Sequence, residues 1–406
     1  MKSLLFKYTC YENTNRISQH LSIGFKISLF EENMFDVIVI GGNLAGASAA
    51  INAAEKGVNV ALVERCKEPF FPAHCGECIA DVMGDVLELD KISCPKNEIN
   101  LVQLNVSNFK EYFFKLKKHK FLIFDRNYVE KKLLEKAGKK GVKLILGVSM
   151  SDFKPSNDVI LDNEEIISGR VIVDASGIAC QVGRRLGLNT RLKPEDIGVC
   201  IQSRVQSNFN SESTKMWFHK PYAPFGYSWV FPISNTLANI GLGIPGGLQV
   251  NVDELLKNYI NFTTNGNYTV LSTFRSCVPS GLPLQPLVKD NVMFAGDAAR
   301  LDVSALGVGI PNAIISGSLS GCIAAKYVLG ELPSLEMYQT EMQNIVSRLT
   351  RSYYNKSKLT TDQKYISAYK KAFTMLSIIN KISPNFFQGH VAKIMRKDYA
   401  ILEKYK

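Results

Sequence analysis

The segment that most constrains the fold of this chain is an apolar run followed at once by a glycine-rich turn and a helix of small residues. The run occupies residues 36–40, the turn reads Gly41-Gly-Asn-Leu-Ala-Gly46, and the helix is predicted over 45–54. Backbone N–H groups and the positive end of the helix dipole meet at such a turn, and glycines let the backbone approach a phosphate closely. The segment predicts an α/β fold with a dinucleotide site that includes Gly41, Ala45 and Gly46.

An acidic residue at the end of the next predicted strand completes this unit. The strand covers 58–63 and is followed by Glu64. This position lies about twenty residues after the turn, where a carboxylate can accept hydrogen bonds from ribose hydroxyls. Glu64 and the adjacent Arg65 are therefore further candidates for cofactor contact.

One position of the turn departs from the pattern GxGxxG, because Asn43 stands where the second glycine is expected. That glycine lets the backbone approach the phosphate, so a side chain there can block the cofactor. Asn tolerates positive φ better than other non-glycine residues, and we expect the turn to form with the Asn43 amide near the phosphate. Taken alone, the turn is as typical of a structural bend as of a cofactor site.

A second motif lies near residue 296. An apolar strand over 291–295 ends in Gly296-Asp297, and a predicted helix over 310–327 follows. The arrangement resembles the second flavin motif of the p-hydroxybenzoate hydroxylase superfamily, although Ser304 and Val308 stand where that family usually has Pro and Gly. The resemblance implies FAD, with a helix N-terminus facing the flavin pyrimidine, where reduced flavin gathers negative charge that such a terminus stabilises. The residues implied are Asp297 on the ribityl chain and, at the helix start, Gly307, Gly309 and Ile310.

Between the two motifs lies an aromatic segment, Pro224-Phe-Gly-Tyr-Ser-Trp-Val-Phe-Pro232. It resembles the PxxYxWxFP signature of the geranylgeranyl reductase family, which implies a substrate-binding strand. Alternation along a strand places every second side chain on one face, so the three aromatic rings can wall an apolar tunnel or pack as ordinary core. The substrate-binding candidates are Pro224, Tyr227, Trp229, Phe231 and Pro232.

The run Ala73-His-Cys-Gly-Glu77 resembles the loop that this family places beside the flavin. The resemblance puts Cys75, Gly76 and Cys78 near the cofactor and makes Cys75 the candidate for proton delivery or gating, with His74 as the second. A buried, inert thiol is the alternative for Cys75. The CxxC spacing lacks a second pair of ligands, so we expect no metal, and a flavin-linked dithiol is a minor alternative.

Two smaller elements fit the same superfamily. Arg126 precedes a predicted helix over 131–139 and a strand near Val148. The resemblance implies that Arg126 reaches the cofactor and that Val148 lies under the adenine, whereas a surface arginine capping a helix is the alternative. The run 171–177 resembles the turn that closes the flavin domain, in which Asp174 can also be only a turn former.

With 406 residues, the chain is long enough for two or three domains. We predict an α/β fold with a discontinuous Rossmann-like FAD-binding domain, an inserted antiparallel β-sheet substrate domain and a C-terminal helical region. The predicted boundaries are 34–205 plus 285–330 for the FAD-binding domain, 206–284 for the substrate domain and 331–406 for the helical region. We expect residues 1–33 to be an extension that is not translated, because Met34 stands directly before the first strand.

Positive charge is concentrated in the C-terminal region. From residue 333 onward there are 13 Lys or Arg against 5 Asp or Glu, which accounts for +8 of the net charge of +11. No nucleic-acid-binding motif accompanies this charge, so an anionic membrane surface or a merely solvated face explains it better. Nine cysteines without a secretory signal indicate a cytoplasmic protein, with peripheral contact at the inner face of the membrane as a further expectation.

The resemblance to the geranylgeranyl reductase family implies an FAD-dependent reductase that saturates C=C bonds of geranylgeranyl chains in isoprenoid membrane lipids of archaeal type. The resemblance covers about residues 34–330. Ferredoxin and NAD(P)H are both open as electron donor. The alternatives are an FAD-dependent aromatic-ring monooxygenase of the same superfamily and a non-catalytic lipid-binding protein that has lost FAD.

Overall fold

The computed structural model describes residues 34–68, 75–107, 110–383 and 386–405. Residues 1–33 and His74 lie outside these ranges, so the expectations for them stay predictions. The strands of the described residues are β1 Met34–Ile40, β2 Val60–Glu64, β3 Cys78–Ala80, β4 Lys96–Ile99, β5 Leu101–Val106, β6 Lys110–Lys115, β7 Phe121–Phe124, β8 Lys143–Leu146, β9 Met150–Phe153, β10 Asp158–Leu161, β11 Ile166–Asp174, β12 Ile197–Gln206, β13 Ser213–His219, β14 Ala223–Pro232, β15 Leu237–Pro245, β16 Thr269–Pro279, β17 Val288–Lys289 and β18 Val292–Phe294.

The same residues form nine α-helices, and their bounds agree with the sequence-based expectations to within a few residues at the cofactor motifs. They are α1 Leu44–Ala54, α2 Asp81–Val86, α3 Arg126–Lys139, α4 Gln181–Arg185, α5 Val252–Thr264, α6 Ile310–Val328, α7 Glu336–Ser357, α8 Asp362–Ile382 and α9 Phe386–Tyr399.

The first sheet is the predicted Rossmann-like one. Its main order is β17-β18-β11-β1-β2-β8, and β1 runs parallel to both β11 and β2. Residues 37–39 of β1 are fully buried without alternation, as expected for a parallel strand that is covered on both faces. The carboxyl ends of β1, β2 and β8 therefore meet at one edge, where the cofactor motif begins.

Two glycines bring α6 against α1. A Cβ at Gly317 would lie 2.1 Å from the carbonyl oxygen of Ala45, and a Cβ at Gly321 would lie 2.1 Å from that of Ala49. Only glycine fits at either position without moving a backbone. This close packing brings the two helices that start at the two cofactor motifs side by side.

The second sheet has the order β16-β12-β15-β14-β13-β5-β6. Its neighbours are antiparallel except for β5 and β13, which are parallel. Strands β5, β6 and β12 come from outside the range 206–284, so the expectation of a sheet built from that range alone was too narrow. Apolar side chains of α5, among them Leu256 and Tyr259, cover one face of this sheet.

The remaining elements close the molecule around these two sheets. A small sheet, β3-β7-β4, packs Ile123 into one apolar cluster with Trp229 and Phe231 of the second sheet. Helix α8 packs Tyr365 and Phe373 against the outer end of the second sheet. Among the described residues, no helix combines the length and apolar character that crossing a bilayer requires.

Candidate cofactor and substrate site

The glycine-rich turn is as tight as its sequence predicts. Gly41 has φ +107°, a value that L side chains rarely adopt, and a Cβ there would lie 2.3 Å from the carbonyl oxygen of Ala175. A Cβ at Gly46 would lie 1.8 Å from the carbonyl oxygen of Gly41. Both glycines are therefore required by the backbone itself.

Asn43 is the N-cap of α1. Its Oδ1 accepts hydrogen bonds from the N–H groups of Ala45 (3.0 Å) and Gly46 (3.3 Å), and its Nδ2 donates to the carbonyl oxygen of Ala175 at 2.7 Å. Its φ is −75°, so the expectation that tolerance of positive φ decides this position was wrong. The residue keeps extended backbone because an N-cap adopts that conformation.

The inward orientation of the Asn43 side chain leaves a donor pair at the start of α1. Within the described ranges, the N–H groups of Asn43 and Leu44 have no acceptor, because the Asn43 side chain accepts only from Ala45 and Gly46. Two free N–H groups at a helix N-terminus suit a phosphate. The turn thus fits a dinucleotide pyrophosphate despite the missing glycine.

Glu64 connects the turn to the neighbouring strands. Its Oε2 accepts a hydrogen bond from the N–H of Gly42 at 2.6 Å, and its Oε1 accepts one from Cys66 at 2.9 Å. The N–H of Val148 donates to the Glu64 carbonyl oxygen at 3.2 Å, and Arg65 is exposed beside them. The residues predicted at the adenosine end therefore lie together.

The second motif touches the first. A Cβ at Gly296 would lie 2.9 Å from the Cβ of Ala45, and one at Gly309 would lie 3.5 Å from Asp297 Oδ1. Helix α6 begins at Ile310, directly after Gly309, and Gly307 has φ +63°. Asp297 is thus held at the N-terminus of α6. Burial raises the pKa of Asp297, while the positive charge of Arg126 opposes the rise.

Arg126 points towards this junction. Its guanidinium pairs with Glu130, with 2.9 Å from Nε to Oε1, and also interacts with the Cys75 thiol. The N-cap of α3 is Asp125, whose side chain accepts the N–H of Tyr128 at 2.9 Å. The alternative of a free surface arginine that caps the helix is therefore wrong.

Cys75 lies in a loop that is tied to the second sheet. Its Sγ accepts a hydrogen bond from the N–H of Glu77 at 3.2 Å, and its carbonyl oxygen accepts one from Gln202 Nε2 at 2.9 Å. Gln202 Oε1 in turn accepts the Trp229 Nε1–H at 2.7 Å. A Cβ at Gly76 would lie 2.8 Å from the Phe231 ring. The loop rests directly on the aromatic strand.

Glu77 is the part of the site whose role sequence reasoning missed. Its carboxylate is buried, and Oε2 accepts hydrogen bonds from Arg204 Nη2 at 2.5 Å and from Asn239 Nδ2 at 2.7 Å. Its Oε1 accepts the N–H of Arg126 at 3.2 Å. Burial raises the pKa of Glu77, whereas the charge of Arg204 and the Asn239 hydrogen bond oppose the rise. Glu77 stands in the quoted run 73–77, yet its pairing with Asn239 leaves no local signal in the sequence.

The aromatic strand β14 has the predicted alternation. The rings of Tyr227, Trp229 and Phe231 follow one another on one face, with centroids 5.5 Å and 5.9 Å apart, and Pro224 and Pro232 lie towards the two ends of the strand. Tyr227 donates its O–H to the carbonyl oxygen of Leu306 at 2.6 Å. The aromatic face is therefore joined to the loop that leads into α6.

The remaining expectations concern the thiols and Asp174. Cys75 and Cys78 are free, and the described residues contain no cluster able to hold a metal ion. Burial raises the pKa of Cys78 to about 12, so this thiol stays protonated at neutral pH. Asp174 is a turn former: its buried carboxylate accepts the N–H groups of Ser176 and Val182 at 3.0 Å and 2.9 Å.

Comparison with known proteins agrees with both halves of the site. The family described as "FAD dependent oxidoreductase" matches residues 36–69, and that described as "Geranylgeranyl reductase catalytic domain" matches 196–277. A relative named digeranylgeranylglycerophospholipid reductase 1, from Methanococcoides burtonii, is 27% identical over 321 residues, which cover 73% of this chain and 76% of the relative. A digeranylgeranylglycerophospholipid reductase from Methanothrix thermoacetophila is 29% identical over 72% of this chain and 78% of its own.

The fold is also shared with a solved structure. The crystal structure of a geranylgeranyl bacteriochlorophyll reductase-like protein from Thermoplasma acidophilum superposes with a TM-score of 0.75 at 24% identity. The match covers 82% of this chain and 90% of that protein.

Proposed function

Because this chain is a homologue of the geranylgeranyl reductases and its cofactor is FAD, we propose that it saturates C=C bonds of geranylgeranyl chains in archaeal-type membrane lipids. The observation that carries the proposal is the loop 75–78. It interacts with the flavin-motif residue Arg126 on one side and rests on the aromatic face of β14 on the other. This arrangement suits a reaction between a flavin and an apolar chain.

The residues around the two motifs have distinct proposed roles in holding FAD. The α1 N-terminus takes the pyrophosphate, the ends of β2 and β8 take the adenosine, and the α6 N-terminus takes the flavin pyrimidine. The loop 75–78 and Arg126 lie at the isoalloxazine. The proposed cofactor-binding set is Gly41, Asn43, Ala45, Gly46, Glu64, Arg65, Cys75, Gly76, Cys78, Arg126, Val148, Asp297, Gly307, Gly309 and Ile310.

An unactivated double bond needs a hydride on one carbon and a proton on the other, and bound reduced FAD supplies the hydride. We assign the proton to the Cys75 thiol. The Arg126 guanidinium and the Glu77 N–H stabilise the thiolate that is left, and solvent returns its proton. Cys78 cannot replace it, because its pKa of about 12 keeps its proton bound. His74 is the second candidate.

The face formed by Tyr227, Trp229 and Phe231, with Pro224 and Pro232 at its ends, is the proposed contact for the isoprenoid chain. Burial keeps this face away from water, so the reacting carbon atoms are shielded while charge develops on the cofactor. Either ferredoxin or NAD(P)H is the proposed source of electrons.

Helix α8 supports the further proposal of peripheral contact with an anionic membrane. Met375, Ile378 and Ile382 are 56%, 54% and 81% exposed, and with the exposed Lys371 they follow helical spacing along one face. Tyr365 and Phe373 on the opposite side pack inward. An apolar stripe beside lysines suits the interface of an anionic bilayer.

Mass spectrometry of lipids tests the reductase function. Cells that make unsaturated archaeal lipids and express this chain should accumulate lipids heavier by pairs of hydrogen atoms. Cys75→Ala should abolish the mass gain, whereas Cys277→Ser, a change at an exposed thiol, should not. A purified protein that takes up no FAD would instead favour the lipid-binding alternative, and oxygen consumption with an aromatic substrate would favour the monooxygenase.

A vesicle flotation assay tests the membrane contact. Serine at positions 375, 378 and 382 should release the protein from vesicles that contain anionic lipid. Leu271→Ser, which changes an exposed leucine on β16, is the matched control and should leave binding intact. Equal flotation of the triple variant and the control would refute this surface.

A further inference from the structure

Gln202 of β12 joins the loop at Cys75 to the aromatic face of β14. Its side chain is 1% exposed. Its Nε2 donates a hydrogen bond to the carbonyl oxygen of Cys75 at 2.9 Å, and its Oε1 accepts one from the Nε1–H of Trp229 at 2.7 Å. A carbonyl oxygen only accepts and an indole N–H only donates, so the two partners fix which way the amide is turned. A neutral amide meets both requirements, whereas a carboxylate, which has no donor, does not.

The indole of Trp229 reaches Gln202 across an intervening strand. In the order β12-β15-β14, Gly241 of β15 is paired with Gln202 on one side and with Trp229 on the other. A Cβ at Gly241 would lie 2.5 Å from the indole ring, so a side chain there would displace the ring. The indole therefore lies across the backbone of Gly241, with its N–H at the amide. Three strands build this contact.

Two connections hold the loop to the second sheet. Glu77 is bound by Arg204 and Asn239, and Cys75 is bound by Gln202. The Sγ of Cys75 also accepts the N–H of Glu77 at 3.2 Å, which fixes the thiol to its own loop. The connection through Gln202 is made at the residue that carries the thiol, and its other end is at the indole. It therefore determines where the thiol lies relative to the aromatic face.

We propose that Gln202 is a positioning residue that fixes the Cys75 thiol relative to the Trp229 ring, and so sets the distance of the thiol from the double bond of a chain on that face. The inference rests on the proposed function, in which Cys75 delivers the proton and β14 contacts the chain. Gln202 needs no contact with lipid or flavin for this role, and no proton passes through it. A proton donor displaced by about 1 Å can lower a rate by a factor of about 100, because the reacting groups no longer meet.

Steady-state turnover of a solubilised geranylgeranyl lipid, with dithionite as reductant and expressed per FAD-loaded enzyme, tests this role. Gln202→Met keeps the length of the side chain and removes both hydrogen bonds. It should lower kcat by a factor of about 30–100 and leave KM within about threefold, because the rings that contact the chain remain. Gln202→Leu, with a shorter side chain, should behave in the same way and makes the test independent of one variant. Gln206→Leu, at an exposed glutamine of the same strand, is the matched control and should keep the wild-type kcat.

Alkylation of Cys75 is a readout that needs no lipid. Iodoacetamide is added to the FAD-loaded protein, and the modified peptides are quantified by mass spectrometry, with the exposed Cys277 as internal reference. Gln202→Met should raise the rate at Cys75 about fivefold, the factor expected for loss of one hydrogen bond, and leave the rate at Cys277 unchanged. An unchanged rate at Cys75 or a wild-type kcat in Gln202→Met would overturn the proposal. Turnover retained by Cys75→Ala contradicts the proposed function instead, and the alkylation rates still show whether Gln202 fixes the loop, so the two failures are distinguishable.

Discussion

Removal of the Glu77 carboxylate should weaken the connection between the two sheets more than any surface change. Glu77→Ala deletes an acceptor of three hydrogen bonds and leaves Arg204, whose side chain is only 21% exposed, without its partner. Breaking a buried ion pair from one side costs about 3–5 kcal/mol, so we expect a loss in this range. The exposed pair Arg275–Asp253 is the matched control, and Asp253→Ala should cost at most about 1 kcal/mol.

Tryptophan fluorescence during urea unfolding is a suitable assay. The chain has 2 Trp, Trp217 and Trp229, both on the second sheet, and Trp229 is linked through Gln202 to the Cys75 loop. The midpoint of the transition should fall in Glu77→Ala and stay near wild type in Asp253→Ala. A double-mutant cycle with Arg204→Ala should give a coupling of about 0.5–3 kcal/mol. Equal midpoints for Glu77→Ala and the control would refute the reasoning.

The pH dependence of stability tests the same carboxyl independently. The pKa of Glu77 is raised from an ordinary value of 4.5, so the folded protein binds this proton more tightly than the unfolded chain. The stability that comes from protonation of Glu77 is complete below pH 4.5, and it is lost as the pH rises through the raised pKa of the folded state. Glu77→Gln should remove this slope from the unfolding curves, whereas a slope unchanged from wild type would show that another group is responsible.

Changes at Asn43 and Gly317 test the cofactor end, and a change at Lys364 tests the membrane contact. Asn43→Ala should lower the free energy of unfolding by about 1 kcal/mol, and with it the melting temperature, because the N-cap is lost. Asn43→Gly should lower it by only about a few tenths of a kcal/mol. Equal melting temperatures for the two variants would contradict the capping role. Gly317→Ala should separate α6 from α1, lower the free energy of unfolding by about 1–3 kcal/mol and weaken FAD binding in a fluorescence titration. Gly330→Ala is the control, because a Cβ there meets no atom within 4 Å. It should lose only the stability that its backbone strain at φ +78° costs, and FAD binding should be unchanged. Lys364→Glu, on the exposed face of α8, should reduce flotation with anionic vesicles and leave FAD binding intact; unchanged flotation would weaken the membrane assignment.

Features that depend on neighbouring residues were predictable. The strand, glycine turn and helix at 34–54 follow from hydrophobic runs and backbone geometry, and the single aromatic face of β14 follows from the two-residue period of a strand. These patterns state which residue types the local backbone requires. The fold class and most of the cofactor motif could be predicted from these local patterns.

Features that depend on distant partners were not predictable. Glu77 and Arg204 are 127 positions apart, and so are Cys75 and Gln202, yet each pair closes the site. Strands β5 and β6 join the second sheet through a parallel contact with β13 that no local period encodes. In the sequence, Asn43 looked like a defect of the glycine motif. The sequence could not show that its side-chain amide turns inward and donates to the carbonyl oxygen of Ala175. A single sequence records neither register nor the direction of a side chain.

The hydrogen bonds of Tyr227 and Trp229 have a consequence for selectivity. Each ring uses its one polar hydrogen within the protein, Tyr227 on Leu306 and Trp229 on Gln202. The rest of both rings is hydrocarbon, so a molecule in contact with it meets neither donor nor acceptor. A phenol or carboxylic acid would give up its water there without compensation, whereas a polyprenyl chain has nothing to give up. If this face is the substrate contact that we propose, it disfavours polar molecules because it offers them no hydrogen bond, and only shape distinguishes among apolar chains.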